Sequence, residues 1–178
     1  MMETMTRPVL TGLFSDRDSA ERAFQSISDR GYTHEDVNLV MSDETRKRHF
    51  GASAEGRETE LGHKAAEGAG IGGAIGGGLG AIAAAIAAVG TTIALPGLGL
   101  VIAGPLAAAI AGAGAGAATG GIVGALIGWG LPEERVKEYD QGIRDGGILM
   151  AVRPKNEEDA SFFENDWKTN SAGAKVYR

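Results

Sequence analysis

The chain has no cysteine. That removes disulfides, thiol catalysis and cysteine-held zinc or iron–sulfur centres, and it leaves the redox compartment open. Aromatic residues make up only 6% of its 178 positions, so a large conventional core is not expected away from the ends. Basic charge is scarce too: the net charge of −6 argues against nucleic acid as a partner. Met1 to Pro8 is polar, with no apolar run before Val9, so no signal peptide is expected and a cytoplasmic start is the default. The most telling absence is that of any charge between Gly68 and Pro132, a stretch built almost wholly from Gly, Ala, Ile, Leu and Val.

Within that stretch glycine recurs at every fourth position in two registers. The first is Gly68, Gly72, Gly76 and Gly80, continued by Ala84 and Ala88. The second is Gly104, Ala108, Gly112, Gly116, Gly120, Gly124 and Gly128. The whole chain holds 29 glycines, more than twice the usual share of about 7%. A four-residue step places side chains on one face of a helix, so each register makes a smooth groove flanked by larger residues. Such grooves let two helix backbones approach closely. Gly68, Gly72, Gly76, Gly80, Gly112, Gly116, Gly120, Gly124 and Gly128 are therefore the candidate helix-association residues.

The flanks read differently. From residue 8 to 41, Val9 to Phe14 reads as a strand, Ser15 as an N-cap, Ala20, Ala23, Phe24 and Ile27 as one face of a helix ended by Gly31, and Val37 to Met41 as a second strand. Residues 42–67 read as a charged linker that turns helical near Glu58. From 131 to 153, Pro132 and two acids open a helix with Val136, Tyr139 and Ile143 on one face, and Ile148 to Val152 is a third strand. Residues 154–178 read as a polar tail in which Phe162, Phe163 and Trp167 form one turn docked on the chain's own domain. The two flanks together predict an α+β fold, an incomplete ferredoxin-like sheet of three strands with two helices on one face. The Gly/Ala block, 68–130, is then an inserted helical hairpin with its turn at Pro96, Gly97 and Gly99.

The stretches Val9-Leu10-Thr11-Gly12-Leu13-Phe14-Ser15-Asp16-Arg17-Asp18 and Asp43-Glu44-Thr45-Arg46-Lys47-Arg48-His49-Phe50, the Leu95-Pro96-Gly97 break and Gly146-Gly147-Ile148-Leu149 carry a resemblance. The chain up to about Arg153 resembles bacterial general stress proteins with a heat-induced stress-protein domain and a glycine-zipper insert. The resemblance implies induction under stress, no established reaction and no catalytic residues.

Each expected arm, Gly68–Ile93 and Val101–Gly130, exceeds the about 20 residues that cross a bilayer. The expected function is a non-enzymatic, self-associating hairpin at the cytoplasmic side of the inner membrane, with the lipid bilayer and other copies of itself as partners. Gly and Ala are weak drivers of insertion, which keeps a soluble cytoplasmic assembly of mutually buried hairpins as the alternative. A small-ligand regulatory module is a further alternative, by fold analogy alone. No catalytic, cofactor or metal residue is expected. Gly68 to Gly73 matches G-x-G-x-x-G, but neither a preceding strand nor a following acid supports a dinucleotide. Glu60, His63 and Glu67 share a helical face without the second such helix that a di-iron site needs. His34 and His49 read as surface residues, and Arg46-Lys47-Arg48 as a solvated cluster with headgroup binding as its alternative.

Overall fold

The computed structural model describes residues 9–54, 92–95, 99–105, 107, 121–128, 131–171 and 174–178. They build an α+β fold around one antiparallel sheet of six strands in the order β3-β4-β2-β5-β1-β6. Strand β1 is Leu10–Phe14, buried along its whole length. Helix α1 follows, Arg17–Asp29. Its cap is Asp16, whose Oδ1 accepts from the Ser19 amide at 2.8 Å, and not Ser15 as expected. The longer carboxylate spans the first turn and adds a charge favourable to the helix N-terminus. Ala20, Ala23, Phe24 and Ile27 face inward as their spacing requires. A short 3-10 turn, His34–Asp36, is closed by a capping box between Thr33 and Asp36 and leads into β2, Val37–Ser42.

The segment read as a linker opens instead with helix α2, Asp43–Ala54. Ser42 Oγ accepts from the Thr45 amide at 3.0 Å, and Asp43 and Glu44 sit in the first turn. The helix reads as polar because charge surrounds it, but Thr45 and Phe50 are buried.

The reversal expected at Pro96 to Gly99 joins strands, not helices. Strand β3, Thr92–Leu95, pairs antiparallel with β4, Leu100–Ala103, and β4 pairs with β2. Gly99 takes φ +64 in the turn, a conformation that glycine enters without steric cost. The physical reason is local: the four-residue glycine step lapses between Ala88 and Gly104, and Thr92, Ile93, Val101 and Ile102 are β-branched. Gly104 is likewise not helical. It sits at φ +103, where a Cβ would lie 2.3 Å from the Val37 carbonyl oxygen. The backbone of the chain leaving the sheet thus passes directly against β2.

Helix α3, Gly121–Gly128, precedes α4, Glu133–Arg144, and strand β5, Ile148–Val152. The tail is the largest departure from the reading above. It forms helix α5, Glu157–Asn170, capped by Asn156 on the Asp159 amide at 2.7 Å, and strand β6, Lys175–Tyr177. Phe163 and Trp167 are fully buried, so these aromatics do dock on the chain's own domain, as part of a full helix.

Strand β5 lies between the parallel strands β1 and β2, and β1 lies between the parallel strands β5 and β6. Helix α1 crosses from β1 to β2, and α5 from β5 to β6. Both lie on one face of the sheet, where Phe24, Ile27, Phe163 and Trp167 meet Leu10, Phe14, Met41 and Met150. Helix α4 was expected beside α1 but covers the opposite face with α3, through Leu126, Val136, Tyr139 and Ile143 on Leu13, Val40, Ile102 and Leu149. The cause is in the strands. Val37, Leu39 and Met41 point to one side and Val40 to the other, so both faces are apolar and both need a cover.

Candidate association surface

Of the predicted association residues, Gly124 and Gly128 fall in α3. Gly68, Gly72, Gly76, Gly80, Gly112, Gly116 and Gly120 lie outside the described residues, as do Pro96 and Gly97 of the turn. The dinucleotide-like Gly68 to Gly73 and the Glu60, His63 and Glu67 face lie outside them too.

Helix α3 is held by its inward side. Leu126 is 1% exposed and Val123 is half-buried, both in the apolar cluster shared with α4. The Leu131 amide donates to the Leu126 carbonyl at 3.1 Å and ties the C-terminal end of α3 to the start of α4. The other side of α3 is open. Gly124 is exposed, and a Cβ built on it meets nothing within 4 Å. Ile127, three residues on, is 42% exposed. Residues three apart share a helical face, so the glycine register and a branched apolar side chain are displayed together. The spacing announced the register, but nothing in it announced which side of α3 the domain would take.

Helix α4 is a rigid support for this arrangement. Its Gly142 sits over Leu13, where a Cβ would come within 2.2 Å of a leucine methyl, so helix and sheet approach more closely than any larger residue allows. Tyr139 reaches through the buried layer to Thr11, hydroxyl to hydroxyl at 2.5 Å, and burial pushes its phenol up to about 12. Glu138 accepts from Lys175 Nζ at 2.5 Å and from the Tyr177 hydroxyl at 2.9 Å, and these bonds hold its carboxyl below the usual range. An open cleft of about 410 Å³ beside this pair is lined by Leu13, Ser15, Gln141, Gly142, Asp145 and Gly147 among others. Gln141 Nε2 donates to Asp145 at 3.0 Å, so the cleft's polar groups are engaged with one another.

The remaining polar clusters are structural. Asp159, on α5, accepts from Arg30 at 2.5 Å, from the Tyr32 hydroxyl at 2.7 Å and from Asn156 at 3.0 Å, which locks α5 to the end of α1. The Tyr32 hydrogen bond, then Arg30, keep the Asp159 carboxyl below its ordinary value. In the basic cluster, Arg46 and Lys47 pair with Asp43 at 3.1 and 2.7 Å and Arg48 pairs with Glu44, all along α2. The His49 carbonyl accepts from Arg17 at 2.9 Å, and His34 opens the 3-10 turn. Among the described residues, no group of three or more His, Cys, Asp or Glu is placed to hold a metal ion. No helix among them is long and apolar enough to cross a membrane.

Protein-family models, curated proteins and solved structures give no match to this chain. Its own geometry therefore carries the functional argument. The described feature that the domain does not use for its own packing is the open side of α3.

Proposed function

We propose that this protein is a non-enzymatic self-association module. In this reading a ferredoxin-like core, β1-α1-β2 and β5-α5-β6, is completed by the C-terminal tail and carries the second glycine register outward on α3. The observation that carries the proposal is the pairing of an exposed Gly124 with a 42% exposed Ile127 on the side of α3 turned away from α4. An apolar, small-residue face is suited to close approach of another helix and offers nothing to a polar substrate. The sequence resemblance adds an association with stress.

The environment of assembly follows from the chain between Gly68 and Pro132. Its lack of charge favours a membrane, but the expected bilayer hairpin no longer has its far turn: the Asp43 amide donates to the Gly99 carbonyl at 2.7 Å, so that turn is tied to the domain. A soluble homo-oligomer is the reading the geometry supports best, with membrane attachment of the uncharged chain as the second.

Light scattering on the full chain tests this, run beside carbonate-washed membrane fractions. The expected result is a soluble species larger than the 18.2 kDa chain, reduced toward monomer by Ile127→Glu or Gly124→Leu. Protein retained in washed membranes favours the second reading. A soluble monomer at every concentration overturns self-association.

A further inference from the structure

The two edges of the sheet are built to different rules. At one edge, β6 is three residues long and carries Lys175, whose Nζ is bound by Glu138 at 2.5 Å. Arg178, just beyond it, is paired with Glu157. Short length and charge are the usual protections of a strand edge against pairing with a second chain. At the other edge, β3 reads Thr92-Ile93-Ala94-Leu95, with no charge, no proline and no lysine. Among the described residues no strand pairs with its outer side. The neighbouring strand β4 is buried throughout, so β3 extends a well-packed sheet and is not a loose ribbon.

From this we infer that β3 is an interface between two copies of the chain, joined edge to edge by antiparallel pairing across a two-fold axis. The inference rests on the self-association reading and names the contact that begins it. Charge selects the occupant. A chain of net charge −6 repels its own copies over most of its surface, and an uncharged edge is where two of them can meet. A four-residue antiparallel strand is also its own complement, because its donors and acceptors match those of an identical strand run in reverse.

The absence of cysteine supplies a clean test, since each introduced thiol is the only one present. Four single variants of the full chain, Thr92→Cys, Ile93→Cys, Ala94→Cys and Leu95→Cys, are oxidised beside Lys175→Cys at the opposite edge. Residues facing each other across an antiparallel pair have Cα atoms about 4.5–5.5 Å apart, within disulfide reach. Pairing raises the effective thiol concentration to about the millimolar range, so at least one β3 variant is expected to give about tenfold more covalent dimer than Lys175→Cys. In the unaltered chain, amide protection at residues 92–95 is expected to fall on dilution. A scattering-defined oligomer with no excess β3 cross-link, and with protection unchanged by dilution, overturns the β3 interface and leaves self-association standing. A monomer without cross-links overturns both.

Discussion

The sheet wears two different helix layers. The α1 and α5 layer is fastened by polar and aromatic contacts near its outer rim: Asp159 bridges Arg30 and Tyr32, Tyr32 meets Phe163 edge-on at 5.2 Å, and Arg30 lies 4.0 Å over the Phe162 ring. The α3 and α4 layer is polar along α4, but its α3 part shows glycine and isoleucine to the outside. One layer is finished with groups that satisfy each other, and the other ends in surface that only another apolar surface would satisfy. Stability and assembly are thus housed on opposite faces of one sheet, and a substitution can move one without the other.

The comparison is broken most severely at Trp167. Its ring is fully buried, edge-on to Phe14 at 5.5 Å and stacked on Phe163 at 6.5 Å, and it fills the space over Gly12. Trp167→Ala is expected to cost about 3–5 kcal/mol, lowering the melting temperature by about 10 °C or more in thermal denaturation. Gly104→Ala comes next. It sets a Cβ against the Val37 carbonyl oxygen and strains a positive φ, for an expected loss of about 2–3 kcal/mol by urea denaturation.

Asp159 gives a smaller, pH-dependent effect. Its carboxyl titrates lower in the folded protein than the about 3.9 of an unfolded aspartate. Its contribution is therefore complete above about pH 4 and is lost as pH falls through the folded value. Asp159→Asn should be less stable at neutral pH and should show a shallower acid limb in a melting series from pH 7 to 2. Some slope will remain, because Asp16, Asp43 and Glu138 are lowered as well. The smallest effect on stability is expected from Ile127→Glu, within about 0.5 kcal/mol, although the same change is expected to act strongly on assembly. A large loss of stability in that variant would mean that the two layers are not separable.

What was legible in the sequence follows the strength of each period. Ala20, Ala23, Phe24 and Ile27, or Val136, Tyr139 and Ile143, repeat at helical spacing and lie where that spacing puts them. Helix α2 escaped because its stability comes from charge pairs four apart, Asp43 with Lys47 and Glu44 with Arg48, around little more than Phe50. In α5, Ala160, Phe163 and Trp167 do stand at helical spacing, but only as three apolar positions among nine polar or charged ones in the first thirteen residues. The β3–β4 hairpin fell inside an apolar run, where composition alone does not separate strand from helix. In the candidate surface, spacing named Gly124, but exposure of Ile127 depends on which side of α3 meets α4, a tertiary fact.

The pairing of β1 also sets a schedule for synthesis. Strand β1 leaves the ribosome first, yet its partners are β5, Leu10 facing Val152, and β6, Thr11 facing Tyr177. Until those last strands emerge, Leu10 and Phe14 have no sheet to join, while β2, α2, β3 and β4 can form from neighbouring sequence. The whole uncharged stretch is thus translated before the sheet can close. Contacts so distant in sequence make folding slow, and they leave the apolar strands uncovered meanwhile. The newly made chain therefore has its longest exposure to unwanted association before the last thirty residues are complete.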